Sequence, residues 1–190
     1  LWLAANCGHA RTATALLAAS CEVNKAGSDE VTPLFMACDK GFPGIVQQLL
    51  EAGAAVDKAD TDGTTPLMQA IGAKARNSPP IIADIVTQLL AARAAVDRAK
   101  NDGFTPLMFA SKEGLTDTVK LLLEARASVD RADVENHTPL MAACFNGRPN
   151  VVMQLLEAGA SVNKVAQDGN TPLDYARFGE HAECVALLEG

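Results

Sequence analysis

Apolar residues along this chain recur in pairs one helical turn apart. Ile45 and Val46 are followed by Leu49 and Leu50, Ile85 and Val86 by Leu89 and Leu90, and Val151 and Val152 by Leu155 and Leu156. Apolar positions at i, i+1, i+4 and i+5 make a wide stripe along one side of a helix, so each block predicts a helix buried on that stripe. Ahead of each block stands Thr-Pro-Leu leading into small residues, as in LMFASKEG at 107–114. Thr is a good N-cap, Pro is tolerated at the first helical position and Leu begins a buried face, so this pattern predicts a first, shorter helix. Gly53 and Gly159 fall just past the second helix, where a left-handed cap favours glycine. The polar triplets TDG, NDG and QDG then predict a tight turn into the next Thr-Pro-Leu.

The punctuation is periodic. Thr-Pro-Leu starts at Thr32, Thr65, Thr105, Thr138 and Thr171, at spacings of 33, 40, 33 and 33 residues. Setting Leu1 opposite Leu34 extends the period backwards, with Gly8 opposite Gly41 and Val23-Asn24 opposite Val56-Asp57. One domain over 1–190 is therefore expected, with six repeats at 1–31, 32–64, 65–104, 105–137, 138–170 and 171–190, the first and last partial. The third is seven residues longer, and aligning its flanks puts the excess between its two helices, around KARNSPPI at 74–81. Pro79 and Pro80 are barred from a helix interior and Asn77-Ser78 is turn-prone, so a protruding loop carrying Lys74 and Arg76 is predicted. Such a loop serves either as a contact point or as a tolerated insertion.

The 33-residue period, the T-P-L-x-x-A motif and the tail G-A-x-V-[DN] (Gly53 to Asp57, Gly159 to Asn163) resemble the ankyrin repeat over essentially the whole chain. The resemblance implies an all-α ankyrin-repeat solenoid of helix-turn-helix repeats joined by β-hairpin turns. Where the family has His after Thr-Pro-Leu, this chain has Phe35, Met68, Met108, Met141 and Asp174, so the hydrogen bonds that this His supports are not carried over. The turn glycine is replaced by Glu30 and Asn136, and the cap glycine by Ser20, Arg93 and Arg126. A left-handed residue with a Cβ costs about 1 kcal/mol, so repeats one, three and four are expected to end their second helices differently.

Composition narrows the function. Of 190 residues 48% are apolar but only 4% aromatic, so Ala, Leu and Val must fill the core, which suits thin helices packed closely. A formal charge of −7 argues against nucleic acid as a partner, and weakly against anionic membranes. No apolar run reaches the length of a membrane span, and no signal peptide is evident. Cys7, Cys21, Cys38, Cys144 and Cys184 are odd in number and widely spaced, which points to reduced thiols in an intracellular, most simply cytoplasmic, setting. The opening LWLAANCGHA lacks an initiator Met, as expected of a piece of a longer protein, so missing targeting signals say little about the parent.

DKADTDGTTPL at 57–67 places Asp60, Asp62 and Gly63 in the register of a calcium loop, but the first ligand falls on Lys58 and the bidentate acid on Gln69. His9, His137 and His181 lie in different repeats without ligands at metal spacing, and His9 and His181 read as structural. No phosphate loop or nucleophile elbow occurs. No catalytic, metal or cofactor-binding residue and no small-molecule substrate is therefore expected. Leu16 to Asn24 (LLAASCEVN) resembles the pattern that an asparaginyl hydroxylase recognises in some ankyrin repeats.

The resemblance places a partner surface on the hairpin turns and first helices. Its candidate residues here are Thr61, Asp62 and Thr64; Asn101, Asp102 and Phe104; Lys112 and Glu113; His137; Phe145 and Asn146; and Phe178. These columns vary while the framework repeats, as a binding face would, or as unconstrained surface would. Phe104, Phe145 and Phe178 are the sharpest candidates, unless Phe145 and Phe178 lean on neighbouring repeats. Phe109 and Tyr175 are read as core, and Leu1 and Trp2 as exposed through loss of a preceding repeat. A column of cations (Lys25, Lys58, Arg98, Arg131, Lys164) reads as exposed pairs with Asp57, Asp60, Asp97, Asp130 and Asp133 in preference to a ladder for an acidic peptide. The expected function is a monomeric, non-catalytic protein-interaction module for a protein or peptide. The alternatives are an arm of a larger kinase, ubiquitin ligase or ion channel, and a spacer with no partner of its own.

Overall fold

The computed structural model describes residues 1–73 and 77–190. Twelve α-helices and no strand are found among the described residues. They divide into two compact units, Leu1–Ala95 and Val96–Gly190. The first holds α1 (Trp2–Cys7), α2 (Ala10–Ala18), α3 (Pro33–Lys40), α4 (Pro43–Glu51), α5 (Pro66–Gly72) and α6 (Pro79–Ala91). The second holds α7 (Pro106–Glu113), α8 (Thr116–Glu124), α9 (Pro139–Phe145), α10 (Pro149–Glu157), α11 (Pro172–Phe178) and α12 (Ala182–Glu189). In each unit odd-numbered helices pack on odd and even on even, and each pair packs on itself. This is the arrangement of a solenoid, whose repeats bury their faces against their neighbours.

Each first helix starts as its sequence dictates. The Thr32, Thr65, Thr105, Thr138 and Thr171 hydroxyls accept the N–H three residues on, at 3.2 to 3.3 Å. The residues in the family's His position complete the cap. Met108 and Met141 sulfurs accept the N–H of Thr105 and Thr138, at 3.5 and 3.4 Å, and the Asp174 carboxylate accepts that of Thr171 at 2.9 Å. The Leu after each Pro is buried in the four repeats from Leu34 to Leu140, with the small residues behind it. Among the second-helix stripes, Val46, Leu49, Val86, Leu89, Val152 and Leu155 have no exposed surface.

The second helices from α2 to α10 all end alike, contrary to the expectation for repeats one, three and four. Ser20, Arg93 and Arg126 take φ of 58, 64 and 65°, the left-handed conformation that Gly53 and Gly159 take at 82 and 85°. At all five ends two backbone N–H groups close back onto the last turn, as from Arg126 to Leu123 and from Ala127 to Leu122, each at 2.9 Å. These bonds hold the residue left-handed whatever its side chain.

The third repeat also departs from expectation. Pro79 and Pro80 do not lie in a loop: they are the first residues of α6, where proline needs no N–H partner, and they help extend that helix to 13 residues. Asn77 does not protrude either. It is 6% exposed, its amide donates to the Cys38 and Asp39 carbonyls at 3.4 and 3.3 Å, and its side chain covers left-handed Gly41. Phe42, Arg148 and His181 cover Gly8, Gly114 and Gly147 in the same way, leaving no room for a Cβ at any of these left-handed glycines. Lys74 and Arg76 lie outside the described residues.

A side-chain clamp joins successive repeats. Asn24 accepts the N–H of Ala55 at 2.7 Å, Asp57 that of Ala95 at 3.0 Å, Asp97 that of Ser128 at 2.9 Å and Asp130 that of Ser161 at 3.0 Å. The acids of the V-[DN] tail are thus framework groups rather than the ion-pair partners expected for the cation column. Lys25 and Lys58 pair instead with Glu22 at 4.0 Å and Glu30 at 3.0 Å. Leu1 and Trp2, expected exposed, are both half-buried, with the indole N–H beside Gly27. All five cysteines are free, and burial pushes the Cys144 thiol up to about 12, with Cys38 and Cys184 also raised by burial. Raised thiols have little thiolate, so these three are packing residues.

Candidate functional site

The hairpin turns are built from carboxylates. In the first unit Asp60 Oδ1 accepts the N–H groups of Asp62 and Thr64 at 3.0 and 2.8 Å, while backbone bonds join Asp60 to Thr64 at 3.0 Å and Gly63 to Asp60 at 3.1 Å. The aspartates that mimic a calcium loop therefore shape a turn. In the second unit Asp133 plays the same part for Glu135 and His137 at 2.9 and 2.8 Å, while Asp102 and Asp168, two positions further along their turns, accept the N–H of Phe104 and Asn170, each at 3.0 Å. Adjacent turns are tied by backbone bonds, from Val134 to the Asp102 carbonyl at 3.0 Å and from Gln167 to that of Glu135 at 2.9 Å. A row of fixed turns thus presents its side chains beside the first helices.

In the second unit this face opens into an apolar pocket of about 340 Å³, lined by Phe104, Lys112, Asp133, His137, Met141, Ala142, Phe145, Asn146 and Tyr175. Aromatic contacts organise it. Phe104 meets Phe109 edge-on at 4.7 Å between ring centres, and Phe145 meets Tyr175 edge-on at 6.0 Å. Phe178 lies nearly parallel to Phe145 at 6.3 Å. Phe145 remains 49% exposed and Phe178 80%.

One wall is a polar chain. Asp133 Oδ2 lies 3.1 Å from His137 Nδ1, and His137 Nε2 lies 3.0 Å from the Tyr175 hydroxyl oxygen. The Tyr175 hydroxyl donates to Asp168 Oδ2 at 2.7 Å. A phenol has a single proton, so with it committed to Asp168 the Nε2–H of His137 must donate to the phenolic oxygen. That hydroxyl, with the Asn170 groups, holds the Asp168 carboxyl below its usual range, while burial and the Asp168 charge push the Tyr175 phenol up. The chain fixes the His137 and Tyr175 rings, both of which line the pocket. No group of three or more His, Cys, Asp or Glu among the described residues is placed to hold a metal.

Of the candidate residues, Phe104, Lys112, His137, Phe145 and Asn146 come together on this pocket, with Phe178 stacked outside it. Asn101 and Asp102 lie exposed on the neighbouring turn, Glu113 is half-buried beside Lys112, and Thr61, Asp62 and Thr64 belong to the first unit and do not line this pocket. Phe104 is half-buried rather than exposed, because its ring packs on Phe109. Phe109 and Tyr175, read as core, are likewise only half-buried, and Tyr175 is part of the pocket wall. Sequence reasoning missed Asp133, Met141, Ala142 and Tyr175 as lining. The available signal was a bulky tyrosine in a helix-one column that holds Ala142 one repeat earlier, which leaves a step between neighbouring helices.

Pairs of short antiparallel helices, tied by clamped tails and tight turns, define a helical repeat protein. The family model for ankyrin repeats (3 copies) matches residues 1–82, 74–133 and 127–189, and the chain belongs to the ankyrin-repeat family. Among curated proteins none matches it significantly. Solved structures match in number, 530 chains in all. One is the ankyrin repeat domain of human ASB11, with a TM-score of 0.86 and 30% identity over 99% of this chain and 81% of that one. Ankyrin repeats are in general protein-interaction modules, and the fold is typically a non-catalytic one. No described helix is long and apolar enough to cross a membrane.

Proposed function

We propose that this chain binds a protein partner through its hairpin and helix-one face, with the second unit's aromatic pocket as the principal seat, and carries out no reaction itself. The observation that supports this most is the clustering of Phe104, Phe145, Tyr175 and Phe178 on one face of a chain that is only 4% aromatic. Exposed aromatic rings that are held by their neighbours lose little entropy on binding and supply most of the energy at protein interfaces. His137 and Tyr175 add a rigid wall whose polar atoms are already satisfied, so an apolar group entering the pocket strands no hydrogen bond on that side.

Affinity capture of partners by the wild-type chain and by a Phe104→Ala/Phe145→Ala/Phe178→Ala variant tests this. Loss of specific partners with the variant is expected, with the circular-dichroism spectrum unchanged. Equal recovery by a folded variant would remove the pocket from the interface.

A further inference from the structure

The chemistry of the occupant follows from what surrounds the pocket. Its lining is mostly apolar, with Phe104, Met141, Ala142, Phe145 and the Tyr175 ring, so the group that fills it must be apolar too. The hairpin side is acidic. Asp102, Glu135 and Asp168 occupy the same position, three residues before the capping Thr, in three successive turns. All three are exposed, with 69% of the Glu135 side chain and 55% of that of Asp102 open to solvent, although Asp102 also pairs with Lys100 at 3.6 Å, Glu135 lies 3.6 Å from His137 Nδ1 and Asp168 accepts from Tyr175 and Asn170. Lys112 is the one Lys or Arg among the described residues that line the pocket, and the His137 ring lines it too, with Nδ1 against the Asp133 carboxylate. Lys112 stands near the far end of α7, roughly 10 Å along the helix from the Thr105 cap. Across residues 96–190 nine Lys and Arg face fourteen Asp and Glu, a formal charge of −5.

We propose that the second unit's pocket takes an apolar side chain presented on a basic peptide segment, whose cations lie over the hairpin carboxylates of Asp102, Glu135 and Asp168. This deepens the function proposed above and rests on it. The apolar residue supplies the anchor and the basic residues supply selection, because rim charges govern encounter and choice of partner more than tightness. Acidic segments are disfavoured by the same carboxylates, and uncharged ones gain nothing from them.

Selection of a randomised dodecapeptide library on phage against the full immobilised chain tests the chemistry without a known partner. Enriched peptides are expected to carry net positive charge around one or two apolar residues. The best of them, measured by fluorescence anisotropy, should bind about tenfold more weakly to Phe145→Ala. It should bind about fivefold more weakly to Glu135→Lys, and lose affinity as salt rises. Acidic or neutral peptides that depend on Phe145 would overturn the basic segment while leaving the binding face in place. No enrichment, or enrichment indifferent to Phe145→Ala, would overturn both. Phe145 and Glu135 are exposed, and matching thermal midpoints for the two variants would exclude misfolding.

Discussion

The two units are built on the same framework and present different faces. Both cap their first helices with Thr, end their second helices left-handed and clamp neighbouring repeats through an Asn or Asp side chain. At the end of α3, however, the first unit has Asp39 and Lys40 where α9 of the second has Phe145 and Asn146. Asp39 is 6% exposed, accepts from Gln69 Nε2 at 2.6 Å and pairs with Lys40 at 3.0 Å. A short charged group there is absorbed into the packing, whereas Phe145 in the same column stands out against Tyr175 and Phe178. Framework bonds repeat because each repeat must satisfy the same backbone groups, and the columns they leave free are where two units can differ.

Substitutions in the shared framework should affect both units alike. Leu34→Ala and Leu140→Ala each remove a buried anchor, and each is expected to cost about 2–5 kcal/mol in denaturant unfolding. A large effect in one and none in the other would break the equivalence. Next in size is the separation of binding from stability. Phe145→Ala should weaken a partner about tenfold with little change in the unfolding midpoint, while a double substitution Thr61→Ala/Asp62→Ala should leave that partner's affinity unchanged.

Smaller effects sharpen the framework itself. Asp57→Ala and Asp130→Ala each remove a clamp and should cost about 1 kcal/mol, again equally in the two units. Arg93→Gly and Arg126→Gly should stabilise by up to about 1 kcal/mol, since they relieve a left-handed Cβ without touching the closing backbone bonds. The smallest effect is one of pH. The Asp168 carboxyl is held below its usual value by Tyr175 and Asn170, so its contribution to stability is present above the ordinary carboxylate pKa and is lost as pH falls through the lower folded value. Unfolding of Asp168→Asn measured from pH 5 to about pH 2 should therefore fall less steeply than that of the wild type.

Most of the framework was legible in the sequence, because Thr-Pro-Leu and the paired apolar positions state local rules that packing reinforces. What eluded it were closures of the backbone and contacts between one repeat and another. Arg93 and Arg126 looked like broken caps, yet their own N–H and that of the next residue bond back to the last helical turn and hold them left-handed. Asn77 looked like a loop residue, yet a hollow over Gly41 buries it. The pocket was only half visible: Phe104, His137 and Phe145 stood out as departures from the framework, but Tyr175 lies 38 residues from His137 and joins it only across repeats. Asp57 and Asp130 looked like partners for the adjacent cations because a linear sequence does not show that a backbone N–H one repeat later lies closer.

A partner is expected to sit on the second unit's aromatic pocket. Amide chemical-shift mapping of the labelled full chain with the selected peptide tests it most directly. Perturbations are expected at Phe104, His137, Phe145 and Tyr175, with the Asp60–Thr64 turn undisturbed. Shifts concentrated at Asp60–Thr64, with the pocket amides unmoved under saturating peptide, would contradict it.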